Sequence, residues 1–181
     1  MNQEQFDHAV RAAGAILGEE KIIVIGSQAI FGTITKKIPA EAERSVEVDF
    51  AAINDPKSEK SDLIDGSIGE LSMFHDTFGY YAQGVSKVTA LLPDGWEKRL
   101  KKYKTPATNG VTALCLEIHD LWISKALANR QKDIEFCNAL FKNDLVKIKT
   151  LKSRLNMVDK KHQARIDNAK IILNKIKNSK N

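Results

Sequence analysis

The chain has 181 residues, 43% hydrophobic and 28% charged, with 28 basic against 23 acidic side chains for a net charge of +5. That composition supplies a hydrophobic core and excludes collagen-like, mucin-like and intrinsically disordered chains. No apolar run approaches the ~18 residues needed to cross a bilayer, and the opening residues lack the apolar stretch of a secretory leader, so a cytoplasmic protein with no membrane partner is expected. Two cysteines, Cys115 and Cys137, are too few for a disulfide framework or a four-ligand zinc site and read as buried thiols. Charge is unevenly spread. Residues 1–100 hold 10 basic and 16 acidic side chains, net −6, whereas residues 101–181 hold 18 and 7, net +11. A basic half suits polyanions, because neutralising phosphates releases counterions. A lysine-rich solvated face gives the same count.

Phe6, Val10, Ala13 and Leu17 recur at three- and four-residue steps, predicting an amphipathic helix over 3–17 that Gly18 stops. The β-branched run 21–25 reads as a buried strand, ended by Gly26-Ser27. Residues 28–34 are predicted as a helix with Ser27 as its N-cap. A polar stretch over 35–43 leads to a second strand over 44–53, in which Val46, Val48 and Phe50 alternate with Ser45, Glu47 and Asp49. There follow a weak helix over 62–71, strands over 80–85 and 87–92, a Pro93-Asp94-Gly95 turn, a linker over 105–110 and a strand over 111–118. From His119 onward the pattern is helical. Leu145, Ile148, Leu151 and Leu155 form one apolar stripe, and Ile166, Ala169, Ile172 or Leu173, and Ile176 form another. The expected fold class is α+β: a small mixed β-sheet flanked by helices over 1–118, then a basic C-terminal helical region over 119–181.

Chemistry concentrates at Glu47-Val48-Asp49. Side chains two apart on a strand share a face, so both acids lie within reach of one small cation. Two carboxylates this close repel unless a cation neutralises them, and hard oxygen ligands suit Mg²⁺ or Mn²⁺. A solvent-facing strand edge would show the same E-x-D pattern. Gly26-Ser27, about twenty residues earlier, joins a buried strand to a helix, where a phosphate could approach the backbone. A tight turn with a serine cap is the plainer reading. Neither G-x-G-x-x-G nor G-x-x-x-x-G-K-[ST] occurs, so a Rossmann dinucleotide site and a P-loop are not indicated.

In order and spacing, VIGSQAIFG followed by RSVEVDFAA resembles the nucleotidyltransferase superfamily, the DNA polymerase β-like fold. The stretch LEIHDLWISKALANRQKDIEF is similar to a helical motif of the AbiEii toxin branch and of small bacterial nucleotidyltransferase-fold proteins of unassigned function, with Lys125, Arg130 and Asp133 at the matching positions. The resemblance covers roughly residues 20–140. It implies an NTP bound at Gly26 and Ser27, Mg²⁺ or Mn²⁺ on Glu47 and Asp49, and catalytic roles for Lys125, Arg130 and Asp133. The implied reaction moves a nucleoside monophosphate to an acceptor hydroxyl, with RNA such as tRNA among the acceptors and an antitoxin among the partners; separately, the C-terminal apolar stripes would suit pairing with another chain or a second copy. Two departures stand out: Glu47 replaces the more usual aspartate, and a third carboxylate is not evident, with Asp94 and Glu117 as the candidates. A non-catalytic nucleotide- or RNA-binding module of the same fold is the alternative.

Overall fold

The computed structural model describes residues 1–34, 38–40 and 44–178; most of the predicted polar stretch 35–43 lies outside them. Helix α1 (Gln3–Leu17) starts at a capping box between Asn2 and Gln5 and ends where Gly18 turns into the left-handed region. Phe6, Val10 and Ala13 of the predicted stripe are buried, joined by Ala9, while Leu17 is half-buried. Strand β1 (Lys21–Val24) follows, then a 3₁₀ turn over Ser27–Gly32 and strand β2 (Glu47–Ala51). Helices α2 (Glu59–Ile68) and α3 (Met73–Phe78) precede strand β3 (Tyr81–Gly84). Strands β4 (Lys101–Tyr103) and β5 (Thr112–Cys115) complete the sheet. Helices α4 (Ile118–Ala128), α5 (Gln131–Lys142), α6 (Ile148–Leu155) and α7 (Gln163–Asn178) form the C-terminal part.

The five strands run in the order β3-β2-β1-β5-β4. β1 pairs antiparallel with β2 and parallel with β5, β2 pairs parallel with β3, and β4 pairs antiparallel with β5. The sheet is therefore mixed, as expected, with the continuously apolar strand β1 at its centre. Ile22, Ile23, Val24 and Ile25 are all buried, which is why that strand shows no alternation.

Several predicted elements differ from the observed ones. Residues 28–34 form no α-helix: the turn is 3₁₀, its N-cap is Gly26, and no side chain caps it. Residues 87–92 form no strand, because β3 ends at Gly84 and the chain leaves the sheet there. The short β4 was not predicted, since Lys101-Lys102-Tyr103 at the sheet edge carries no apolar signal. Residues 105–110 are not a loose linker. Thr105 Oγ1 donates to buried Asp7, as does Tyr103 Oη at 2.6 Å, and Arg11 Nη1 donates to the Ala107 carbonyl.

The C-terminal stripes are core. Leu151, Leu155, Ile166, Ala169, Ile172, Leu173 and Ile176 belong to the same buried cluster as Phe6, Ile22 and Val48. α4 is the centre of this part, packed on α5, α6 and α7. Trp122 on α4 donates through Nε1 to the Cys137 carbonyl of α5, and Cys137 Sγ lies 3.5 Å from the Trp122 carbonyl. Both cysteines are buried, as expected.

The start of α4 is held by ions. Glu117, its N-cap, accepts from the His119 backbone N–H. Asp120, in the first turn of α4, is fully buried and bridges two arginines: Arg99 Nε at 2.7 Å and Arg154 Nη1 at 2.9 Å. Arg99 also donates to the carbonyls of Pro93 and Asp94. One carboxylate thus fastens the 93–99 turn and α6 to α4. Asp120→Ala would strand two mostly buried guanidinium groups, costing about 3 kcal/mol. Thermal unfolding should show a Tm lowered by roughly 6–12 °C.

Candidate nucleotide site

A cleft of about 420 Å³ opens where the end of β1, strands β2 and β3 and the α4–α5 turn meet. Gly26, Ser27, Glu47, Asp49, Lys125 and Arg130, all singled out from the sequence, line it together. Asp133 does not line the cleft; it sits behind the two cations.

Strand alternation positions the acids. Val48 and Phe50 point into the core, so Glu47 and Asp49 face the cleft, half-buried. Ile25 N–H donates to the Asp49 carbonyl at 3.1 Å, which fixes the Gly26 turn against β2. A Cβ at Gly26 would overlap Asp49 Oδ2 and lie 2.6 Å from Asp49 Cγ. Glycine is thus required here by close approach, not by backbone angle: φ is −76°.

Electrostatics follow from that crowding. Burial, and after it the charge of Asp49, pushes the Glu47 carboxyl above the ordinary carboxylate range. Burial likewise raises Asp49, against the opposing pull of Lys125, Arg130 and Lys132. In the absence of a cation the pair therefore holds protons more tightly than free carboxylates do.

The cations come from one tight turn. α4 ends at Asn129, whose left-handed backbone (φ 55°) lets Arg130 begin α5 directly. Lys125 lies in the last turn of α4 and Arg130 is the N-cap of α5. Asp133, buried in the first turn of α5, accepts from Arg130 Nε at 2.6 Å and pairs with Lys125 Nζ at 3.5 Å. Burial alone would raise its carboxyl, but the Arg130 hydrogen bonds and the Lys125 charge outweigh that and hold it below the ordinary range. Asp133 is a positioning group for both cations and, being held ionised by two of them, a poor proton acceptor.

Lys132, Arg165 and Gln83 also line the cleft and were not singled out from the sequence. Lys132 adds a third positive charge from the same turn, and Arg165 a fourth from α7. Lys132 sits two residues from Arg130 and was within reach of a local reading; Arg165 is brought in only by tertiary packing. Gln83 stands beside Asp49 in the parallel β2–β3 register and carries an amide where a third acid would share the face. Neither Asp94 nor Glu117 lines the cleft. Glu117 is engaged with His119, whose Nδ1 is 2.7 Å away, and Asp94 is exposed in the turn that Arg99 clasps. Among the described residues no three His, Cys, Asp or Glu side chains are grouped to hold a metal ion. The acid pair nevertheless fits a hard cation that takes its remaining ligands from water and phosphate, the habit of Mg²⁺.

A mixed sheet whose Gly-Ser turn abuts an acid pair on the next strand, with flanking helices, defines a nucleotidyltransferase fold. The chain belongs to the family described as Nucleotidyltransferase of unknown function (DUF6036), which matches residues 5–180. No curated protein and no solved structure matches it. Among the described residues no helix is long and apolar enough to cross a membrane.

The raised proton affinity of the acids gives a sign. A carboxyl whose folded-state pKa exceeds its unfolded value destabilises the fold as pH rises through that interval and stays unfavourable above it. Asp49→Asn should therefore raise the Tm of the ligand-free protein at pH 7.5 in EDTA, by roughly 2–4 °C if the gain is ~1 kcal/mol. In thermal melts at pH 4 the gain should shrink toward zero.

Proposed function

We propose that the cleft binds a nucleoside triphosphate and transfers its nucleoside monophosphate to an acceptor hydroxyl. The observation that carries this reading is the contact between Gly26 and Asp49. It presses a strand-ending backbone turn against one of the two acids, inside a cleft also lined by Glu47, Lys125, Arg130, Lys132 and Arg165. Acids and bases so divided across a small cleft suit a polyphosphate that arrives with a divalent cation.

The Gly26-Ser27 backbone receives the phosphates, and the absent side chain lets them approach. Lys125 and Arg130, held by Asp133, neutralise phosphate oxygens, with Lys132 and Arg165 at the rim. Glu47 and Asp49 would hold Mg²⁺ or Mn²⁺. When bound, that ion supplies charge neutralisation at the phosphates. The acceptor oxygen bonds to the α-phosphorus as the bond to the β-phosphate oxygen breaks; pyrophosphate leaves and the hydroxyl proton passes to water. The resemblance to the AbiEii branch supports a toxin–antitoxin or defence setting, and the basic C-terminal half supports an RNA acceptor such as tRNA. A non-catalytic nucleotide- or RNA-binding role is the second reading, favoured by Gln83 standing where a third acid would share the acid face.

Calorimetric titration of each NTP with Mg²⁺, then with EDTA, tests the reading. Binding should require the ion and vanish in folded Asp49→Ala; unchanged binding in that variant overturns the assignment. Arg130→Ala should weaken binding about tenfold, the ~1.4 kcal/mol of one charge-assisted contact. Labelled NTP incubated with total RNA separates the two readings: incorporation supports transfer, and binding without incorporation supports the module.

A further inference from the structure

Two exposed features outside the cleft lining complement each other, although Glu70, beside the second, shares a smaller pocket with Glu47 and Gln83. The first is a groove of about 600 Å³ between α5 and α7, with Ile134, Ile171, Ile172 and Ile176 along it and Lys142 and Lys175 on it. Ile171 is 51% exposed. Neither lysine has an acidic partner among the described residues. The second is the turn between α2 and α3. Leu71 is 84% exposed and Met73 85% exposed, and Glu70 and Asp76 flank them in sequence.

Leu71 is the more telling residue. Its backbone is left-handed, with φ 62°, a conformation that disfavours a non-glycine residue by ~1–2 kcal/mol. The chain thus carries backbone strain to present an apolar side chain to water, and both terms are unfavourable in an isolated molecule. The groove has the converse character, apolar along its length and cationic at its margin. Glu70 and Asp76 stand beside the knob and Lys142 and Lys175 beside the groove, so attraction between copies orients one surface toward the other.

We propose that this protein self-associates, the Leu71–Met73 knob of one copy seating in the α5–α7 groove of another, with Glu70 and Asp76 facing Lys142 and Lys175. The contact joins two different patches, so each copy offers one of each, and the assembly either closes on itself or extends.

Sedimentation equilibrium of three forms of the full chain tests it: wild type, the double variant Leu71→Lys/Met73→Lys, and Ile171→Glu. All three sites are exposed, and thermal melts confirm that the variants fold. Wild type should have a mass above the 20.2 kDa of one chain at low ionic strength, and salt should reduce it. Each variant alone should stay at one chain. An equimolar mixture of the two variants should recover a two-chain species, because one copy keeps an intact groove and the other an intact knob. A wild type that is a single chain throughout overturns the proposal and leaves the groove to a different partner. Association that survives either variant overturns it, and so does a variant mixture that shows no two-chain species.

Discussion

The rest of the site depends on two carboxylates held half-buried, side by side, on one strand face. Glu47 and Asp49 are crowded by each other, and Asp49 also by the Gly26 turn; such a pair is tolerated only where opposite charge stands close. The compensation comes from a single helix–helix turn. Asn129 adopts the left-handed conformation, α4 stops, and Lys125, Arg130 and Lys132 face the acids from within eight residues of chain. Asp133 pairs with two of these cations on the side away from the cleft lining. Buried and ionised, it anchors Lys125 and Arg130 from behind.

α4 transmits this arrangement to the rest of the molecule. Its C-terminal end carries Lys125, while its N-terminal end is fixed by Glu117, His119 and Asp120. His119 Nε2 accepts the Lys147 backbone N–H, so in the neutral ring Nδ1 carries the proton and donates to Glu117. Asp120 adds Arg99 and Arg154. The helix is therefore held at one end by a structural ion cluster, and its other end delivers charge to the cleft. Cys137 and Trp122 join it to α5 in between, so the helices that carry Lys125 and Arg130 are packed together.

What the sequence made legible is what short-range physics determines. The period of Phe6, Val10, Ala13 and Leu17 defined α1, the unbroken run Ile22–Ile25 marked a strand buried on both faces, and the alternation around Val48 put Glu47 and Asp49 on one side. The 3₁₀ turn after Gly26 was misread as an α-helix because its apolar residues, Ala29, Ile30 and Phe31, suit either helix and are simply buried. Lys87–Leu92 looked like a strand by residue type, yet no neighbouring strand receives it. β4 had the opposite problem: a lysine-rich edge strand is recognisable only once β5 is beside it. The bridging role of Asp120 was not legible because both its partners, Arg99 and Arg154, are more than twenty residues away. Arg165 was invisible for the same reason.

The same reasoning changes what the uneven charge means. A net +11 over residues 101–181 suggests a broad polyanion-binding surface, but much of it is committed inward. Arg154 is spent on Asp120 and Glu117, Lys125 and Arg130 face the acid pair and Asp133, and Lys132 and Arg165 line the cleft. A field focused into a small cavity differs from one spread over a face: it raises the local concentration of a compact anion more than it grips an extended one. On the proposed reading, then, the cleft cations answer to the triphosphate. Contact with a long acceptor falls to the exposed lysines of α6 and the turn before α7, Lys149, Lys152, Lys160 and Lys161. Binding of nucleotide and binding of polyanion would accordingly depend on different residues and respond differently to salt, because only the extended partner releases counterions along its length.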